Sequence, residues 1–98
     1  MEIKKNIQDH SACFMLSGRL DTMTSPELEK ELQDIPADLK ELVLDFEGLE
    51  YISSAGLRVL LSAQKLMSRQ GEMKLIHVNE TVMEIFEVTG FSEILTII

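Results

Sequence analysis

From Leu42 to Phe46 the chain runs Leu-Val-Leu-Asp-Phe, and from Ser54 onward apolar residues recur three and four apart. A buried strand followed closely by an amphipathic helix is the pattern this predicts. Ser53 and Ser54 stand side by side at the junction. A serine hydroxyl accepts from an orphan backbone N–H one turn ahead, so one of the two is expected at or beside the helix N-terminus. The helix is expected from about Ser54 to Gln70, closed by Gly71 as the residue after its cap. At about 100° per residue, Val59, Leu60, Ala63, Leu66 and Met67 share one broad apolar face. Leu57 and Leu61 fall beyond its edge, and Arg58, Lys65 and Arg69 form a basic stripe opposite. The two leucines read either as the seam to a neighbouring helix or, with the stripe, as a docking surface.

Elsewhere the pattern alternates between the two periods. Glu2 to Gln8 sets Ile3 and Ile7 against polar neighbours, Asp9-His10-Ser11 reads as a tight connection, and Ala12 to Leu16 resumes as a more apolar strand. These two are expected to form an antiparallel hairpin, after which Ser17 to Asp21 turns into a loop. Thr22 to Pro26 opens a helix, with Ser25 able to cap and Pro26 in the first turn. Leu28, Leu32 and Ile35 recur at helical spacing until Pro36. Met73 to Val78 is a further strand, Asn79 caps a helix carrying Val82, Met83, Ile85, Phe86 and Val88, and Gly90 ends it. Ile94 to Ile98 reads as a short last strand.

The order β-β-α-β-α-β-α-β, without repeats or linkers, predicts a single α/β domain over residues 1–98. Its sheet is mixed and mostly parallel, with the N-terminal antiparallel hairpin at one side and three helices packed on it. Loops leaving the carboxyl ends of parallel strands carry function in such sheets. That places the Gly18 to Thr24 loop beside the Phe46 to Ser54 loop, and Asp21 near Ser53 and Ser54. Asp21 would either orient a serine hydroxyl or simply cap its own turn.

Composition narrows the partners. The 98 residues carry 17 acidic and 9 basic side chains, a formal charge of −8, which repels nucleic acid and anionic membrane and favours a partner with a basic surface. No apolar run approaches the ~20 residues of a membrane span, and the start lacks a secretory h-region, so a cytoplasmic protein is expected. The one cysteine, Cys13, makes no internal disulfide and reads as a buried small hydrophobe.

Catalysis finds no support. Gly56 is not followed by the Lys-Ser or Lys-Thr of a phosphate loop, and no glycine-rich dinucleotide fingerprint occurs. Ile52 stands where a serine-hydrolase elbow around Ser54 would need glycine. The only imidazoles, His10 and His77, have no motif that sets them beside Ser54, and no His, Cys and carboxylate set has metal-ligand spacing. No enzyme, metal or cofactor is expected.

The stretch Asp45-Phe46-Glu47-Gly48-Leu49-Glu50-Tyr51-Ile52-Ser53-Ser54-Ala55-Gly56-Leu57-Arg58-Val59-Leu60, with Gly18-Arg19-Leu20-Asp21, resembles the signature of STAS domains, in particular bacterial anti-sigma-factor antagonists. The resemblance extends over essentially the whole chain. It implies a partner-switching protein that binds an ATP-dependent serine kinase doubling as an anti-sigma factor, and so frees the sigma factor. The kinase inactivates such proteins by phosphorylating one serine, and a phosphatase restores them. Aligned on Gly56, that serine falls on Ser54 and the acidic loop residue on Asp21. Many members carry Asp where this chain has Ser53, which makes Ser53 a rival acceptor. The implied partner-binding surface is Asp21, Thr22, Ser53, Ala55, Gly56, Leu57, Arg58 and Leu61. Many members also carry a fourth helix after the last strand, which is either absent or outside the given residues, so helix three and the last strand are expected to expose apolar surface. The alternative within the family is a constitutive scaffold, or a subunit of a larger signalling or transport assembly, with the serine only a cap.

Overall fold

The computed structural model describes all of residues 1–98. Four strands, β1 (Glu2–Gln8), β2 (Ser11–Leu20), β3 (Glu41–Ile52) and β4 (Glu72–Ile76), form one sheet in that spatial order. β1 pairs with β2 antiparallel, whereas β2–β3 and β3–β4 are parallel. Helices α1 (Ser25–Gln33) and α2 (Ser54–Ser68) supply the two parallel crossovers, and α3 (Glu80–Thr89) and a 3-10 turn at Phe91–Glu93 follow the last strand. The expected mixed, mostly parallel α/β sheet with its N-terminal hairpin and three helices is the fold observed.

The core is made from one face of the sheet. Ala12, Phe14 and Leu16 of β2, Leu42, Leu44 and Phe46 of β3, and Met73 and Leu75 of β4 are all buried and lie at alternate positions, the period of a pleated strand. They join Leu28 and Leu32 of α1, Leu57, Val59, Leu60, Ala63 and Met67 of α2, and Val82 and Phe86 of α3 in a single apolar cluster. The Phe46 and Phe86 rings meet at 6.3 Å between centroids, tilted by 47°. The residues between the core positions, Cys13, Met15, Val43, Asp45, Lys74 and Ile76, fall on the other face and are half-buried or exposed. Cys13 therefore lies outside the core, because Ala12 and Phe14 on either side of it point inward.

Both parallel central strands run further than the sequence pattern indicates. β2 extends to Leu20 rather than Leu16, and β3 to Ile52 rather than Phe46. The reason is a pair of bulges. Met15 pairs with Asp45 but Ser17 with Gly48, and Gly18 pairs with Leu49 but Arg19 with Tyr51, so β3 holds one extra residue at each shift. Each extra residue moves the buried phase by one, which is why burial along β3 falls at Leu42, Leu44 and Phe46 and then at Leu49 and Ile52. What reads as a loop is a coiled strand that delivers Ile52 beside Leu20.

Three ends differ from expectation. Thr24, not Ser25, precedes the first residue of α1, and Ser25 is buried as that first residue. α2 ends at Ser68, and Gly71 serves close approach: a Cβ there would collide with the Lys40 carbonyl, which accepts the Glu72 N–H at 2.9 Å. The Ile94–Ile98 segment is not a strand, since it makes only an isolated parallel bridge from Ile97 to Leu75. Asn79 does cap α3, its Oδ1 accepting from Val82 N–H at 2.8 Å while its Nδ2 donates to Leu49 O at 2.8 Å. Gly90 ends α3 with φ of 83°.

Phe86→Ala is expected to lose about 3–5 kcal/mol, because it empties a fully buried aromatic site against Phe46. Val88→Ala, on the outer face of the same helix, should change stability by no more than about 0.5 kcal/mol. Denaturant unfolding followed by circular dichroism measures both.

Candidate functional site

The ends of β2 and β3 lie side by side, Leu20 opposite Ile52, and the Ser53 N–H donates to Leu20 O at 2.9 Å. The next residue on each chain, Asp21 and Ser53, begins its loop there. Asp21 thus stands beside the serine pair, as its place at a strand's carboxyl end implies.

Its carboxylate serves its own turn. Oδ1 of Asp21 accepts the N–H groups of Met23 at 3.0 Å and Thr24 at 3.1 Å. Thr24 Oγ1 accepts the Asp21 N–H at 2.9 Å and donates to Arg19 O at 2.7 Å, and Ser25 Oγ donates to Asp21 O at 2.6 Å. The Arg19 guanidinium, 3.8 Å from Asp21 Oδ2, stacks on the Tyr51 ring at 4.4 Å from its centroid. Donation from the Thr24 N–H, then from the Met23 N–H, with the Arg19 charge behind them, holds the Asp21 carboxyl below the ordinary carboxylate range. No hydrogen bond joins it to Ser53 or Ser54. Of the two roles open to Asp21, the geometry realises the turn-capping one, and it does not orient a serine hydroxyl.

The two serines differ sharply in environment. Ser53 is the residue before α2, extended at φ −101° and ψ 176°, and its O accepts the first intrahelical bond, from Leu57 N–H at 3.0 Å. Its Oγ is buried and without a hydrogen-bond partner, so it does not cap the helix. Ser54, the first residue of the helix, is exposed. No acidic residue lies in the first turn of α2, whereas Glu27 and Glu80 occupy that turn in α1 and α3. The N–H groups of Ser54, Ala55 and Gly56 precede the first intrahelical bond and leave partial positive charge at Ser54.

Gly56 fixes this placement. A Cβ on it would stand 2.8 Å from both Ile52 Cγ1 and Leu20 Cγ, two fully buried side chains. The missing side chain lets the first helical turn lie against the strand ends. The remaining candidates distribute around that turn. Thr22 and Arg58 are exposed, Ala55 and Leu61 are partly buried, and Leu57 is in the core at 7% exposure. Leu57 therefore fills an internal seam, one of the two readings open for it. Arg58, Lys65 and Arg69 are all exposed and none forms an ion pair.

The Arg19–Tyr51 stack beside Asp21 is a feature the pattern alone does not show, because only the bulges in β3 bring Tyr51 opposite Arg19. The fold also gathers Asp45 and Glu47 with His77, which lies too far along the chain from the other two for the set to show ligand spacing.

A STAS domain family model matches residues 2–98. An anti-sigma-B factor antagonist of Listeria monocytogenes is 34% identical over 101 aligned positions, covering 99% of this chain and 86% of the relative. Among solved structures, an anti-sigma factor antagonist from Mycobacterium paratuberculosis superposes with a TM-score of 0.87 at 20% identity, over 98% of this chain and 83% of that one. SpoIIAA of Bacillus, an anti-sigma factor antagonist, superposes in its unphosphorylated form with a TM-score of 0.79 at 15% identity, over 99% and 88%. Its phosphorylated form gives 0.74 at 16%, over 99% and 91%. These likenesses show the same fold. No helix of the present chain is long and apolar enough to cross a membrane.

A carboxylate whose folded pKa is lowered contributes stability above its unfolded pKa and loses it as pH falls through the folded one. Asp21→Ala is accordingly expected to melt below the parent protein at pH 7, with the gap narrowing once the pH drops under about 4. Thermal melts of both proteins from neutral to acid pH check this.

Proposed function

The chain belongs to the STAS domain family, and we propose that it acts as an anti-sigma factor antagonist whose hold on its partner is released by phosphorylation of Ser54. The role is supported by the named antagonist of Listeria at 34% identity over nearly the whole chain. Control by phosphate is supported by SpoIIAA, a protein of the same fold known in both phosphorylated and unphosphorylated forms. The observation that carries the choice of residue is the contrast between the exposed Ser54 and the buried, unpartnered Oγ of Ser53. A kinase must bring the hydroxyl in line with a γ-phosphate, so an exposed hydroxyl on a helix's first turn is the better acceptor.

In this proposal the anti-sigma factor, itself a serine kinase, docks over the Asp21–Thr22 turn and the start of α2. The Asp21 hydrogen bonds prearrange that turn, which reduces the ordering needed on binding. Arg58, Lys65 and Arg69 present unpaired cations along the outer side of α2, suited to carboxylates on the partner. A phosphate on Ser54 brings about two negative charges into that contact. It repels the same partner carboxylates and draws Arg58, one turn along the helix, toward itself. An unmatched charge in a partly desolvated interface costs several kcal/mol, and each 1.4 kcal/mol is tenfold in affinity. Removal of the phosphate by a phosphatase restores docking.

Calorimetric titration with the anti-sigma factor encoded in the same genome tests the switch. Ser54→Asp should bind at least tenfold more weakly while keeping the parent's circular dichroism spectrum and melting transition, and Ser54→Ala should bind as the parent does. Undiminished affinity of a folded Ser54→Asp would contradict the proposal and favour a constitutive scaffold.

A further inference from the structure

The face of the sheet away from the helices carries a cluster unrelated to the Ser54 region. Asp45 lies on β3 opposite Ile76 of β4, and His77 is the first residue beyond β4. His77 adopts the left-handed backbone region at φ 57°. Its ring meets Asp45, with Nδ1 at 2.9 Å from Oδ1. Glu47 follows on the same side of β3, its N–H donating to Asp45 Oδ1 at 2.9 Å and its Oε2 at 3.9 Å from His77 Nδ1. One ligand-type atom from each of the three residues lies within 4.8 Å of the others.

The three side chains differ in exposure in a useful way. The Asp45 carboxylate is 15% exposed and fixed from two directions, whereas the side chains of His77 and Glu47 are 56% and 80% exposed. A hollow of about 230 Å³ opens beside Asp45 and Glu47, lined also by Met15, Ser17, Glu2 and Lys4. A cation held by the three groups would be anchored at the sheet and open to water on its outer side.

We propose that Asp45, Glu47 and His77 bind a divalent first-row transition-metal ion, of which zinc is the reference case. Two carboxylate oxygens and one imidazole nitrogen suit zinc, cobalt or nickel, while magnesium and calcium favour all-oxygen shells. On binding, the ion takes Nδ1 of the neutral His77 ring, whose one proton then sits on Nε2; a protonated ring first gives its Nδ1 proton to solvent, and water fills the remaining positions. The inference rests on the open sheet face alone and stands apart from the role given to Ser54.

The protein, stripped with chelator and titrated calorimetrically with zinc chloride, is expected to bind one ion per chain, with no comparable binding of magnesium chloride. His77→Ala should weaken zinc binding at least tenfold, and Glu47→Gln should weaken it by a smaller factor. His10→Ala, which alters the other imidazole, beside Asp38, should leave it unchanged. Addition of nickel chloride should broaden amide resonances around residues 45–47 and 76–78 first. Absence of saturable zinc binding, or an unchanged isotherm for folded His77→Ala, would overturn the assignment. If His77→Ala does not fold, Glu47→Gln and the position of the broadening decide the matter.

Discussion

The first turn of α2 lies against the last residues of β2 and β3 at a separation that only glycine permits. A Cβ at position 56 would be 2.8 Å from the buried side chains of Leu20 and Ile52, well inside van der Waals contact. The chain crosses from strand to helix with no slack, Ser53 N–H bonded to Leu20 O and Ser53 O already accepting from Leu57. Ser53 is thereby held extended with its hydroxyl inside, and Ser54 is turned outward. A buried hydroxyl without a partner costs about 1–3 kcal/mol. Fully burying one leucine is worth a similar amount, and the same geometry sets both Leu57 and Leu60 in the core. Packing outweighs the lost hydrogen bond.

That junction depends in turn on how β3 arrives. Without its two extra residues, β3 would not bring Ile52 opposite Leu20 or Tyr51 opposite Arg19. The bulges convert a strand of twelve residues into a match for the ten of β2. They also leave Asp21 beside the serine pair, where its carboxylate holds the β2–α1 turn in place. The candidate docking surface is therefore two short segments, each braced by its own hydrogen bonds and both fixed to the same pair of strand ends. A small domain with a single core can present such a surface without a dedicated cavity.

Much of this is legible in the chain itself. The strand period of Glu2–Gln8, the helical period after Ser54 and the caps at Asn79 and Gly90 all correspond to what forms, because each is a local signal that packing reinforces. The length of β3 is not legible, since a bulge shifts the buried phase and so imitates a loop. The apolar run Ile94–Ile98 imitates a strand, yet after the 3-10 turn at Phe91–Glu93 it reaches β4 only at Leu75. Which serine faces solvent is fixed by the strand's final phase, and the meeting of Asp45 with His77 by the β3–β4 register. Both are tertiary facts that periodicity does not encode. Gly56 is visible as a residue, but its reason, the nearness of Leu20, belongs to the fold.

The claim that the helix junction selects one of two adjacent hydroxyls is tested most directly by locating the phosphate. The intact protein would be incubated with its partner kinase and ATP, digested, and its peptides fragmented in a mass spectrometer. The account predicts a single phosphoryl group on Ser54 and none on Ser53. Phosphate on Ser53, or an unmodified peptide after the kinase has been shown active, would contradict it.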